Sequence, residues 1–114
     1  MLNHLGMELA LDQLTDPTNG INKVSIFTDI FQTDTQTITW NAAVGVGAEE
    51  PFTGSVSMNA TDLIFNITVG ATVQAVGLYK DSTYVGYIEF ATTYYFANSG
   101  TFTLTDITIN LANV

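Results

Sequence analysis

With 114 residues and no cysteine, the chain is long enough for one domain, 1–114, whose core must be held by packing without disulfides. Its 11 acidic residues against two basic ones give a formal net charge of -9, which excludes nucleic acid and anionic membranes as expected partners. Only 11% of the residues are charged while 46% are hydrophobic, a composition that favours a protein docked against others over a free monomer.

The N-terminal sequence MLNHLGMELALDQL predicts the only helix, within residues 1–15 and ending before Pro17 and Gly20. It lacks the basic region of a secretion signal, and no apolar run is long enough to span a membrane. The helix carries two apolar stripes, the first made of Leu2, Leu5 and Leu9 and the second of Met7, Ala10, Leu11 and Leu14. One stripe can cover the domain's own sheet, and the other requires either deeper burial or a partner protein. If the second stripe meets the partner, Leu11 and Leu14 are interface residues.

From residue 20 to residue 114, short apolar runs separated by Gly, Asn and Asp predict an antiparallel β-sandwich or barrel of about 7–8 short strands. The chain is therefore expected to be mainly β, with one N-terminal helix. The strands are predicted at 22–29, 36–41, 54–59, 62–68, 73–79, 84–91, 101–105 and 106–111. Residues 41–54 are rich in Gly and Ala without a clear period, which indicates a long mobile loop.

The C-terminal run TFTLTDITINLANV changes its alternation partway along. Phe102 and Leu104 hold one parity, whereas Ile107 and Ile109 hold the other. A slip of one residue would turn the apolar set to solvent, so a β-bulge or a corner between two sheets is expected near Thr105.

No constellation in the sequence indicates catalysis. His4 is the single histidine and has no positioned partner, and no spacing among the acidic residues selects a pair of carboxylates. The side chains of Asp16, Asn19, Asp29 and Asp34 suit calcium, but the same residue types form turns by bonding to their own backbone. No catalytic residue, cofactor or metal ligand is predicted, and the chain is not expected to be an enzyme.

The stretch VGLYKDSTYVGYIEF, from residue 76 to residue 90, predicts a β-hairpin with a polar tip at Lys80–Thr83. The tip is expected to add little to the core. The tyrosines Tyr79, Tyr84, Tyr87, Tyr94 and Tyr95 allow three interpretations: a protein interface, a carbohydrate-binding surface, or packing within the domain. Of these, Tyr79, Tyr84 and Tyr87 flank the tip and are the predicted interface residues.

Six segments follow one another along the chain: the leucine-rich helix, VSIFT, QTITWNAA, LIFNITVGATVQAVGLY, YVGYIEF and FANSGTFTLTDITINLANV. This order of segments resembles the small tail-fibre-like structural proteins of tailed bacteriophages, which include minor tail and head-decoration proteins. The positions that match the family pattern are Ile38, Trp40, Asn41, Val69, Gly70, Thr72, Val73, Gly77, Phe96, Gly100, Thr101, Phe102, Thr103 and Leu104. The family's Thr-Ala-Asp-Pro loop is absent, and TDIFQTDTQ stands in its place.

This resemblance implies a virion structural subunit without enzyme activity or cofactor, located on the particle. Its implied partners are other phage structural proteins, the major capsid or tail proteins. If the second stripe of the helix is buried between copies, the chain is also expected to form a homo-oligomer on the particle. Head and tail locations both stay open. The alternative function is a carbohydrate- or receptor-binding adhesion module of the tail tip or fibre.

Overall fold

The structure, a computed structural model, describes residues 3–46, 53–59 and 61–112. Within these ranges one helix precedes nine strands, and all paired strands are antiparallel. The elements are α1 (His4–Leu14), β1 (Lys23–Thr28), β2 (Gln36–Thr37), β3 (Val44–Val46), β4 (Thr53–Ser57), β5 (Leu63–Ile67), β6 (Thr72–Lys80), β7 (Thr83–Tyr95), β8 (Gly100–Leu104) and β9 (Thr108–Ala112). The mainly β class with an N-terminal helix is confirmed, while the sandwich or barrel layout stays a prediction.

The strands form three sheets, with orders β2-β1-β6-β7, β3-β4-β9 and β5-β8. We call the four-stranded one the main sheet. Its inner face and the β5-β8 pair share one buried apolar cluster, because alternate residues of β1 and β6 point toward β5 and β8. This cluster includes Val24, Ile26, Val73, Val76, Leu78, Phe65, Ile67 and Leu104.

The helix begins and ends at polar caps. Asn3 is the N-cap, and its Oδ1 accepts a hydrogen bond of 2.9 Å from the backbone N–H of Gly6. At the other end, Thr15 Oγ1 donates to the carbonyl of Leu11 at 2.8 Å. Asp16 Oδ2 then accepts the N–H of Asn19 at 2.7 Å, which forms the turn.

The helix packs on the β3-β4-β9 sheet through a close approach at Gly54. A Cβ at this glycine would lie 2.8 Å from Met7 Cβ and 3.0 Å from Leu11 Cδ1, so only glycine admits the helix at this distance. Two carboxylates on α1 hold the start of the sheet: Glu8 Oε1 accepts the N–H of Gly45 at 3.0 Å, and Asp12 Oδ1 accepts that of Ala43 at 2.9 Å.

These contacts correct part of the loop predicted at 41–54. Val44–Val46 is a strand that pairs with β4, and β4 itself begins at Thr53. The remainder of the predicted loop, 47–52, lies outside the described residues. The strand escaped prediction because three residues with a central glycine show no alternation.

The strand predicted at 36–41 is also shorter than expected. Only Gln36–Thr37 pairs with β1, and the chain then changes partner, so that Trp40 forms an isolated bridge with Met58. The indole N–H of Trp40 donates to the carbonyl of Ile21 at 2.8 Å and holds this crossing in place.

The irregularity predicted near Thr105 is confirmed as a corner between sheets. β8 ends at Leu104 and pairs with β5, whereas β9 begins at Thr108 and pairs with β4. Ile107 lies in the corner and is buried in the shared cluster. The change of parity therefore turns the apolar side chains of both strands inward.

Candidate contact surfaces on the main sheet and the helix

A β-bulge in β7 brings two hairpin tyrosines onto the same face of the main sheet. Tyr84 lies opposite Tyr79, and Tyr87 lies opposite Gly77. In a regular strand, an odd separation would place Tyr84 and Tyr87 on opposite faces. The register shifts between the two pairs and leaves Val85 without a residue opposite it, which restores a common face.

We call this side of the main sheet, which carries Phe27, Gly77, Tyr79, Tyr84 and Tyr87, the outer face. The Phe27 ring covers Gly77 so closely that a Cβ there would collide with it. The Tyr84 ring lies with its centroid 5.7 Å from that of Phe27 and 5.7 Å from that of Tyr79. These rings hold one another in fixed positions by edge and tilted contacts.

Tyr79 is part of the floor of this face and is only 5% exposed. Its hydroxyl accepts a hydrogen bond of 2.7 Å from Gln32 Nε2. Its prediction as an interface residue is therefore corrected, because the ring packs within the domain. Tyr84 and Tyr87 are 50% and 56% exposed and stay candidates.

The exposed tyrosines line a depression of about 690 Å³, which we call the outer depression. One wall is β7, which adds Glu89, and the opposite wall is the loop after β1, which adds Ile30 and Gln32. Sequence reasoning missed these three residues, since only the tertiary fold brings that loop beside β7. Gln74 of β6 completes the polar lining.

The loop after β1 is held by its own hydrogen bonds. Thr28 Oγ1 donates to the carbonyl of Phe31 at 2.7 Å and accepts the N–H of Phe31 at 2.9 Å. Asp29 Oδ1 accepts the N–H of Thr72 at 2.8 Å, and the Asp29 N–H donates to the carbonyl of Thr72 at 3.1 Å. The wall of the outer depression is thus fixed to β6 at two points.

The hairpin tip does more than turn the chain. Asp81 has a left-handed φ of 54°, and its Oδ1 accepts a hydrogen bond of 2.9 Å from Asn22 Nδ2. Its N–H donates to Asn22 Oδ1 at 2.8 Å. No residue of the tip is part of the shared apolar cluster, but the tip anchors a buried asparagine.

The second stripe of the helix is divided, because Met7 and Leu11 are buried whereas Ala10 and Leu14 are exposed. Leu11 is 1% exposed, packed with Met7 against the β3-β4-β9 sheet, so its prediction as an interface residue is corrected. Leu5 and Leu9 lie on the other side of the helix and are exposed, Leu9 to 68%. Leu2, the third member of that stripe, lies outside the described residues.

Leu14, the last predicted interface residue, is exposed and lies beside the hairpin. It lines a second depression of about 340 Å³ together with Ala10, Ile21, Lys80 and Val85. The structure therefore brings the end of the helix close to the tip of the hairpin. The sequence does not predict Val85 as part of this surface, because its exposure depends on the β-bulge in β7.

Two of the acidic side chains suited to calcium, Asp16 and Asp29, accept main-chain N–H groups. Within the described ranges, no group of three or more His, Asp or Glu residues is arranged to hold a metal ion. The described part of the chain also contains no helix with the length and apolarity needed to cross a membrane.

Comparisons of the chain with protein-family models, with curated proteins and with solved structures find no match.

Proposed function

We propose that this protein is a non-enzymatic structural subunit of a bacteriophage virion, docked on the particle as an accessory protein. It would serve either as a capsid decoration protein or as a minor tail protein. The resemblance of its segments to small phage structural proteins supports this role. Its partners would be the major capsid or tail proteins, and its copies would form a homo-oligomer on the particle.

The exposed helix stripe, Leu5 and Leu9, is the observation that carries the proposal. Large apolar side chains on a surface helix raise the free energy of the isolated protein in water and are stabilised when a partner covers them. The carboxylates of Glu8 and Asp12 are occupied by the backbone of the β3 region. The helix is thereby fixed on its own sheet with this stripe facing outward, and we assign the stripe to a neighbouring protein of the particle.

Strand β7 adds a second feature that suits assembly. It has 13 residues and lies at the edge of the main sheet, paired with β6 alone among the described strands. Proteins usually protect such edges with lysine or proline, and β7 contains neither. Its Glu89 is the single charged residue along the strand. An extended segment of a particle protein can therefore add to this edge by main-chain hydrogen bonds.

The test is quantitative mass spectrometry of purified particles of the phage that encodes this protein. We expect the chain in every preparation, at a fixed ratio to the major capsid protein that survives repeated gradient purification. A ratio that follows the capsid lattice would indicate the head, and one that follows the tail proteins would indicate the tail. Detection in infected-cell lysate but never in purified particles would contradict the proposal.

A further inference from the structure

The outer depression has the size and the lining of a small-ligand site. Its volume of about 690 Å³ falls within the roughly 300–1,000 Å³ typical of such sites. Aromatic rings form part of its surface, and amide and carboxylate groups converge on it from both walls. It is separate from the helix stripe to which docking on the particle is assigned above.

Two exposed tyrosine rings of this site share one face. Tyr84 is held between Phe27 and Tyr79, as its two ring contacts of 5.7 Å show. Tyr87 stands opposite Gly77, which has no side chain to cover it. A flat, partly apolar ligand can stack on the open ring of Tyr87, while Tyr84 beside it needs little further ordering.

The polar groups favour a ligand that carries several hydroxyls. Gln32 donates one amide hydrogen to Tyr79 and keeps its carbonyl oxygen as an acceptor. Gln74 and Glu89 are exposed on adjacent strands, and Glu89 lies opposite the short side chain of Ala75. Amide donors and acceptors beside a carboxylate match the alternating donor and acceptor character of sugar hydroxyls.

Charge then selects among saccharides. Glu89 is the only charged residue among the described side chains that line the depression, and the whole chain has a formal charge of -9. An acidic sugar would be repelled by both, since no Lys or Arg of this lining compensates it. A neutral pyranose ring has an apolar face for stacking and hydroxyls for the amides, with no such repulsion.

We propose that the outer depression binds a neutral oligosaccharide, with a pyranose ring stacked on Tyr87 and its hydroxyls bonded by Gln32, Gln74 and Glu89. This binding uses side chains of the main sheet and of the loop after β1, and it involves neither the helix stripe nor the main-chain edge of β7. The isolated protein is therefore sufficient to test it.

The probes are an array of neutral oligosaccharides built from glucose, galactose, mannose and N-acetylglucosamine, with sialylated and uronic-acid glycans as the acidic arm. We expect binding to members of the neutral set and none to the acidic set. The best neutral probe is then titrated calorimetrically against the wild type and three variants. Absence of binding to every neutral probe at millimolar concentration, or a preference for the acidic arm, would overturn the proposal.

Tyr87→Ala should weaken the affinity at least tenfold, whereas Tyr87→Phe, which keeps the ring, should retain most of it. Tyr95→Ala is the matched control, because Tyr95 is an exposed tyrosine of the same strand outside the lining. Its affinity should equal that of the wild type. Equal affinity of Tyr87→Ala and the wild type, or equal losses for Tyr87→Ala and Tyr95→Ala, would show that the ligand binds elsewhere. Melting curves establish that each variant is folded.

Discussion

Asn22 joins the turn after the helix to the tip of the hairpin through one buried side chain. Its Nδ2 donates both to the carbonyl of Pro17 at 3.1 Å and to Asp81 Oδ1 at 2.9 Å. Its Oδ1 accepts the N–H of Asp81. All three contacts depend on a hydrogen-bond partner that water replaces poorly at a buried site.

Asp81→Ala should destabilise the protein by about 1–3 kcal/mol, because it leaves an amide hydrogen of Asn22 unsatisfied and places alanine at a positive φ. Asp81→Asn keeps a side-chain oxygen and tolerates the left-handed conformation, so its loss should be below about 1 kcal/mol. Urea unfolding followed by circular dichroism measures both. Equal stability of the alanine variant and the wild type would show that the contact with Asn22 contributes nothing.

The residues of this contact could not be identified from the sequence. Asp81 is predicted as a turn residue and Asn22 as the first residue of the strand at 22–29, and 59 positions separate them. Tyr84 and Tyr87 were predicted as surface candidates by residue type. Their common face could not be predicted, since it depends on the bulge at Val85.

At the scale of the element, the helix shows how two apolar stripes acquire different roles. Met7 and Leu11 fit against Gly54, where the sheet has no side chain in the way. Leu5 and Leu9 face away from it and are exposed. The sequence predicts both stripes but cannot rank them, because both are equally apolar and the difference lies in the surface of β4.

Leu11→Asp should destabilise the fold by at least about 3 kcal/mol, because it places a polar carboxyl group, whether ionised or protonated, in a buried apolar contact. Leu9→Asp introduces the same group two positions away on the exposed stripe, and its cost should stay within about 1 kcal/mol. Chemical unfolding of the two variants gives the comparison directly. Similar losses in both would mean that the helix packs differently from the arrangement described here.

Several elements were predicted because their patterns are local. The alternation of Leu63, Phe65 and Ile67 predicts β5, and the parity change near Thr105 predicts the corner between β8 and β9. The short strands β2 and β3 have too few residues to show a period. Their existence depends on neighbours in other sheets, which no local pattern reports.

At the scale of the whole molecule, exposed apolar side chains and acidic side chains have different roles: the former are available for contact with another protein, and the latter hold the helix on its sheet. In the described structure, leucines of the helix are exposed, and β7 is an edge strand of the main sheet. The acidic side chains of the helix accept hydrogen bonds from the backbone of the sheet beneath it. The molecule extends over 49 × 28 × 22 Å and has a net charge of -9, which opposes contact between free copies. A neighbour that covered the helix stripe, as we propose, would stabilise such a protein.

The most direct measurement is the occupancy of phage particles assembled without this protein after incubation with purified wild type or with the double variant Leu5→Ser/Leu9→Ser. Wild type should bind to saturation, and the double variant should remain folded yet bind at least about tenfold more weakly, because the apolar contact is lost. Val69→Ser is the control, since it removes an equally exposed apolar side chain on a different loop, and it should bind as the wild type does. Failure of the wild type to bind, or equal occupancy by the double variant, would contradict docking through the helix stripe.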